Sequence, residues 1–246
     1  MGISESLAVR IEGDAQMLPS EKTNTESPRV AVVGVGGAGC NIVSAFAGSG
    51  CPVDTIAINT DKDALHRSTA DTKIYICKAV LKGEGTRGDA ELGRRCADIH
   101  REEIKDSLLG YDFVFVLAGL GGGTGSGALP TVIDAATVGG AEVYTIAVSP
   151  FSFEGSRKAV AKEAYQRVKA VCRNTMLLDN DLLMPLMDDL DMKAAFDKVN
   201  ESVVNYISDC VAWISKSAKT MSRSVEDKPR KSEKSEVLPI GMIVSA

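Results

Sequence analysis

Long apolar runs are missing from this chain. No stretch of about 18 consecutive apolar residues occurs in its 246 residues, so no membrane-spanning helix is expected. The opening MGISESLAVRIEGD has neither a basic start nor an apolar core, so it does not read as a signal peptide. Basic excess is missing too: 28 Lys and Arg face 33 Asp and Glu, for a net charge of −5, and no nucleic-acid partner is expected. The six cysteines (Cys40, Cys51, Cys77, Cys96, Cys172, Cys210) contain no Cys-x-x-Cys pair. They read as reduced core thiols of a cytoplasmic protein, with no zinc arrangement. Only two histidines occur, His66 and His100, both expected at the surface. No Gly-Lys-Ser/Thr tripeptide and no Gly-x-Ser-x-Gly occurs, which removes a P-loop and a serine-nucleophile elbow.

What is present suits one soluble core. The chain is 44% hydrophobic and 25% charged, ordinary for a globular protein and too short for two full-size domains. Residues 1–28 are polar and read as a loosely ordered extension. Short β-branched runs then alternate with amphipathic segments: RVAVVGV (29–35), DTIAIN (54–59), KIYIC (73–77), DFVFVLAGL (112–120), AEVYTIAVS (141–149) and TMLLD (175–179) predict strands. Helices are expected over residues 41–47, 89–109, 131–138, 155–174 and 191–214. That alternation predicts an α/β fold, a three-layer arrangement with a mainly parallel sheet and helices on both faces. Domain boundaries are expected at 29–215, followed by a basic flexible tail, 216–246, that ends in the short apolar peptide VLPIGMIVSA. Seven Lys/Arg against four Asp/Glu over residues 215–236 leave that stretch at +3. Membrane contact, if any, is expected only through it.

Two glycine clusters follow strands, where parallel sheets bind ligands. Gly34-Val35-Gly36-Gly37-Ala38-Gly39-Cys40-Asn41 fits G-x-G-x-x-G, with Asp61 at a distance suited to a ribose contact. Alone it suits a NAD- or FAD-dependent Rossmann enzyme, or a tight turn with no ligand. The second cluster, Ala118 to Gly127, places six glycines in ten residues and reads as a bare backbone loop, with Thr124 and Ser126 as hydroxyl donors. A dinucleotide fold has no use for a second cradle of that density. Two glycine loops converging on one polyphosphate without a Walker lysine is the better reading.

With GGGTGSG (121–127) in place, the sequence resembles the tubulin/FtsZ GTPases, the FtsZ branch more than eukaryotic tubulin. The likeness extends through GVGGAGCN (34–41), AINTD (57–61), GEGTRGDAELG (83–93), SPFSFEG (149–155), LLDNDLL (177–183), AAFDKVNESV (194–203) and YISD (206–209). The resemblance implies GTP/GDP and Mg2+ as cofactors. It implies backbone donors to phosphate from Gly36, Gly37, Ala38 and Gly39, and a β/γ-phosphate cradle from Gly121, Gly122, Gly123, Thr124 and Gly125. It places Thr60 and Asp61 near the γ-phosphate, with Asp61 at the metal, and Glu154 at the ribose hydroxyls. Asn41 and Asn200 would read the guanine edge, with Phe196 stacked on the ring; Lys158 and Asn180 complete the implied nucleotide-binding set.

Departures from the family pattern matter as well. Thr86-Arg87 replaces a small Ala-Gly pair, Lys158 stands for an arginine, and Asp179 replaces a proline. After Ser208-Asp209 the sequence shows no paired-aspartate loop, so no catalytic residue is assigned and low intrinsic hydrolysis is expected. The polar back of the last helix (Asp197, Glu201, Asn205, Ser208) reads as a helix that no second domain covers, with an apolar patch at Tyr206, Val211 and Trp213. The expectation is an FtsZ-like GTP-binding protein of the cell-division cytoskeleton. It would associate with or regulate a full-length FtsZ-type protein, or itself, through the nucleotide face. The alternative is an autonomous, self-assembling GTPase.

Overall fold

A computed structural model describes residues 27–186 and 191–226. Six strands form one sheet: β1 (Val30–Val35), β2 (Asp54–Asn59), β3 (Thr72–Tyr75), β4 (Phe113–Gly119), β5 (Glu142–Ser149) and β6 (Thr175–Asp179). Every pairing is parallel, in the order β3-β2-β1-β4-β5-β6. The order reverses between β1 and β4, and a crevice opens at their carboxyl ends where the connections diverge to opposite sides. This order is shared with dinucleotide-binding folds, so topology leaves the choice of ligand to the site.

The helices are α1 (Gly36–Ser44), α2 (Lys62–Arg67), α3 (Lys78–Leu81), α4 (Ala90–Ile99), α5 (Arg101–Ser107), α6 (Gly123–Val138), α7 (Ser156–Val171) and α8 (Met192–Glu226). Two apolar cores lie on opposite faces of the sheet. One joins Val33, Val116 and Ala147 to Ala97, Ile104, Leu129 and Val168 of α4 to α7; the other joins Val32, Phe115 and Ile146 to Ile42 of α1 and Val203, Ile207 and Ile214 of α8. The strands read as continuous apolar runs because both faces are covered. Phe115 and Tyr144 stack across β4 and β5 with centroids 5.4 Å apart. Five of the six cysteines are buried and all are free, in keeping with core thiols. Among the described residues no helix is long and apolar enough to cross a membrane.

Several boundaries differ from those the sequence predicts, each for a local reason. The 89–109 segment is two helices, not one. His100 leaves helical geometry, its Nε2 accepts the Cys77 N–H at 2.9 Å, and its Nδ1 meets Glu103 at 2.7 Å, so it is not a free surface histidine. The break turns Ile99 out to 72% exposure. The helix expected from residue 131 begins at Gly123, and the one expected from residue 41 begins at Gly36. Glycine's low helix propensity was overridden in both by tertiary packing. The last helix runs on to Glu226, into the stretch expected to be a flexible tail. Val211 is buried, so the patch expected with Tyr206 and Trp213 reduces to an exposed Trp213 beside a half-buried Tyr206. The expected extension up to residue 26, and the tail beyond Glu226 with its terminal apolar peptide, lie outside the described residues.

Candidate functional site

Both glycine clusters lie at the switch point and touch one another. A Cβ on Gly36, whose φ is +73°, would stand 2.8 Å from the Gly125 nitrogen, and one on Gly119 would stand 2.6 Å from the Ala38 Cβ. Such approach tolerates no side chain, which is why the two segments are glycine-rich together. Helices α1 and α6 both start here without a side-chain cap, whereas Asp61 and Asp89 cap α2 and α4. Uncapped first turns leave N–H groups and partial positive charge at the crevice, the ordinary recipe for an anion site.

Three cavities hold most of the predicted set. The first, of about 310 Å³, is lined by Gly37, Ala38, Asp61, Gly122, Gly123, Thr124 and Gly125 of the sequence-derived set. Asn59, Glu84, Gly85, Thr86, Arg87, Gly119 and Arg157 complete its wall. The second, of about 340 Å³, shares Ala38, Gly119 and Arg157 with it and continues to Phe151, Phe153, Glu154, Asn180, Met192 and Phe196. The third, of about 670 Å³, lies between α1 and α8 and holds Asn41 and Asn200 with Asp197, Glu201 and Asn205. A glycine-lined chamber thus leads into an aromatic one, and the two guanine-edge candidates share a third cavity.

Other members of the predicted set support the walls. Gly36 and Gly39 are buried at backbone crossings; a Cβ on Gly39 would lie 2.5 Å from the Leu117 carbonyl. Thr60 is fully buried, its hydroxyl 2.7 Å from that of Thr124. Gly121 gives its N–H to the Ser126 hydroxyl at 2.8 Å, so Ser126 is an acceptor inside the fold and the expected bare loop is a turn plus the first turns of α6. Lys158 lines none of the three cavities. Its ammonium donates to Pro150 O at 3.0 Å and to Asp179 and Asp181 at 2.8 Å each. Burial opposes its charge, but the two carboxylates outweigh that and raise its pKa; in return Lys158 and the Ser152 hydroxyl hold Asp181 down at about 2. The lysine and Asp179, two separate departures in sequence, are therefore one ion pair.

The aromatic chamber is poised for a ring. Phe196 sits edge-on to Phe151, centroids 5.7 Å apart, and keeps 37% of its surface exposed. Glu154 accepts the Phe151 N–H at 2.9 Å through one oxygen and pairs with Arg157 through the other. Asn180 is the telling residue. It is 6% exposed, lines the chamber, and its Oδ1 is buried with no hydrogen-bond partner. A buried acceptor without a donor costs about 1–3 kcal/mol, a debt that a ligand N–H or O–H would relieve. Asp61 uses one oxygen to cap α2, accepting the Ala64 N–H at 2.9 Å, and faces the glycine chamber, as a metal-holding carboxylate must. Outside the predicted set, Arg157, Phe151 and Phe153 also wall the chamber; the SPFSFEG motif and the SRK that follows it were the signal available in the sequence.

Residues 29–188 match the Tubulin/FtsZ family, GTPase domain. The cell division protein FtsZ 2 of Methanocaldococcus jannaschii is 38% identical over 180 residues, covering 73% of this chain and 47% of that protein. FtsZ 2 of Haloferax volcanii is 38% identical over 181 residues, covering 73% and 45%. The chain spans about half the length of the curated relatives it matches. Among solved structures, an empty FtsZ dimer from M. jannaschii superposes with a TM-score of 0.72 at 34% identity, over 78% of this chain and 57% of that one. CetZ2 from H. volcanii, a GTPgS-bound protofilament, gives 0.68 at 29% identity, over 75% and 58%.

Proposed function

From the premise that this chain belongs to the tubulin/FtsZ family, we propose that it binds GTP and GDP across the connected glycine and aromatic chambers. The orphaned Asn180 carbonyl carries this reading, since a guanine amino or ribose hydroxyl group supplies the donor it lacks. Phosphates would take the free N–H groups of Gly37, Ala38 and the Gly122–Gly125 turn, with the Thr124 hydroxyl beside them. Glu154 would accept from the ribose and Phe196 would cover the ring. Asn200, one turn of α8 beyond Phe196, and Asn41 across the neighbouring cavity would meet the edge of a base extending past Phe196, and their amides both donate and accept, as a guanine edge requires. Asp61 would hold Mg2+, whose charge offsets that of the phosphates. The chain's own groups bind, orient and shield the phosphates.

In calorimetric titrations GTP and GDP should bind well ahead of ATP and NAD. Asn200→Ala should lower guanine preference by about 1–3 kcal/mol, the scale of a lost partner for a desolvated polar group. Equal affinity for ATP and GTP in the unaltered chain would sink the guanine assignment.

The glycine chamber reaches the surface at Gly37 and Arg87, so a second chain can cover it. We place the protein in a cytoskeletal, cell-division polymer, joined through this face to a full-length FtsZ-type subunit or to another copy of itself. Hydrolysis by the isolated chain should be slow and should rise when a full-length FtsZ-type protein is added, because the neighbour brings acidic groups to the bound nucleotide. Fast turnover independent of protein concentration would instead identify an autonomous GTPase.

A further inference from the structure

Two arginines face the glycine chamber, and neither belongs to the set that the resemblance implies. Arg87 stands in the connection between α3 and α4, and Arg157 in the first turn of α7. Among the described residues no lysine lines the chamber, although a phosphate chain carries several negative charges. Each arginine is parked on a glutamate three residues earlier, Arg87 on Glu84 and Arg157 on Glu154.

Both are held beside the glycine turn. Thr86 is buried at 5% exposure with its hydroxyl 3.4 Å from that of Thr124, and its carbonyl accepts the Asp89 N–H at 3.0 Å. The next residue, Arg87, has a φ of +51°, a left-handed conformation that few side chains adopt without a compensating role. On the other side, the Arg157 Nε reaches the Gly121 carbonyl at 3.4 Å, and its guanidinium lies 3.9 Å from where a Gly122 Cβ would be. The arginine-bearing segments therefore flank the same turn, one against Gly121 and Gly122, the other against Gly123.

We propose that Arg87 and Arg157 form a two-armed clamp that leaves its glutamates and closes on a bound phosphate chain, making the site prefer a nucleoside triphosphate over the diphosphate. This rests on the nucleotide reading above. The Arg87–Glu84 pair is exposed on both sides and weak, and the Arg157–Glu154 pair joins an exposed guanidinium to a half-buried carboxylate, whereas guanidinium on phosphate is a charge-assisted contact with a more highly charged partner, which favours the exchange. The abandoned carboxylates are provided for. Glu84, with a side chain 65% exposed, turns to solvent; Glu154, 20% exposed in the aromatic chamber, receives the ribose hydroxyls. Arg157 lines both chambers and so meets the phosphates nearer the sugar. Arg87 lines only the glycine chamber and meets the terminal one.

The test is titration of the folded chain with GTP, GDP and inorganic tripolyphosphate, with Mg2+ present and circular dichroism as the folding control. Arg87→Ala should weaken GTP and tripolyphosphate about tenfold or more and leave GDP nearly unchanged. Arg157→Ala should weaken all three by a similar factor. Arg87→Lys should recover only part of the loss, lacking the fork, and Glu84→Gln, which frees Arg87, should tighten tripolyphosphate. If the unaltered chain binds GTP but both alanine variants keep its GTP and tripolyphosphate affinities, the clamp is overturned and the nucleotide reading stands. If the unaltered chain binds no guanine nucleotide, the reading and the clamp fall together.

Discussion

Gly122→Val will abolish nucleotide binding and leave the chain folded. Gly122 has φ −97° and ψ 172°, ordinary extended backbone that valine prefers, so its freedom as a glycine is not what the fold uses. A Cβ there meets nothing nearer than the Arg157 guanidinium at 3.9 Å, and the residue lines the glycine chamber. A valine would therefore put its methyl groups into the space assigned to phosphate. Loss of a good N-cap residue ahead of α6 should cost about 1 kcal/mol of stability, a shift of a few degrees in Tm. Affinity for GTP should fall by about a hundredfold or more, equivalent to about 3 kcal/mol. Unchanged affinity in calorimetry would show the turn to be purely structural.

Gly127→Val, five residues along the same glycine run, should do the opposite and unfold or strongly destabilise the chain. Helices α4 and α6 pack backbone to backbone here. A Cβ on Gly127 would stand 2.0 Å from the Ala90 carbonyl oxygen and 2.6 Å from the Arg94 nitrogen, and one on Gly93 would stand 2.4 Å from the Gly123 carbonyl oxygen. Backbone cannot step aside as a side chain can, so the helices must separate and the apolar core beneath them opens. The expected loss is about 3 kcal/mol or more, the upper end of overpacking. Urea titration checks it: a midpoint within experimental error of the unaltered chain would disprove the close approach. Together the two variants separate the open glycine of the motif, Gly122, from those that packing requires: a Cβ on Gly121, Gly123, Gly125 or Gly127 would stand less than 3 Å from a neighbouring atom.

That division was not legible in GGGTGSG itself. A glycine that spares room for a phosphate and one that spares room for a helix are the same letter, and only the neighbours brought in by the fold distinguish them. The same holds for FEGSRK. Lys158 looked like the cation of the site because of its place in the motif; Asp179 and Asp181, at the end of β6 and just beyond it, hold its ammonium, and Arg157 lines both chambers. Phe196 and Asn200 share one helix face in sequence, yet line separate cavities, because the cavities are shaped by what α8 packs against at each turn.

The sequence by itself determined the architecture. Buried β-branched runs separated by amphipathic segments permit few arrangements other than a covered parallel sheet, and the sheet's carboxyl edge follows from where the glycines fall. It also determined the family, because many ordered motifs spread over most of the chain do not recur by chance. Tertiary structure alone decided which backbone N–H groups stay free, which glycines are crossings, where helix 89–109 breaks, and which cation faces the chamber. Those properties depend on contacts between residues tens of positions apart: Thr60 with Thr124, Gly36 with Gly125, Cys77 with His100, Lys158 with Asp179. Local propensity carries no information about such partners, and it is the partner that settles whether a polar group is spent inside the fold or left over for a ligand.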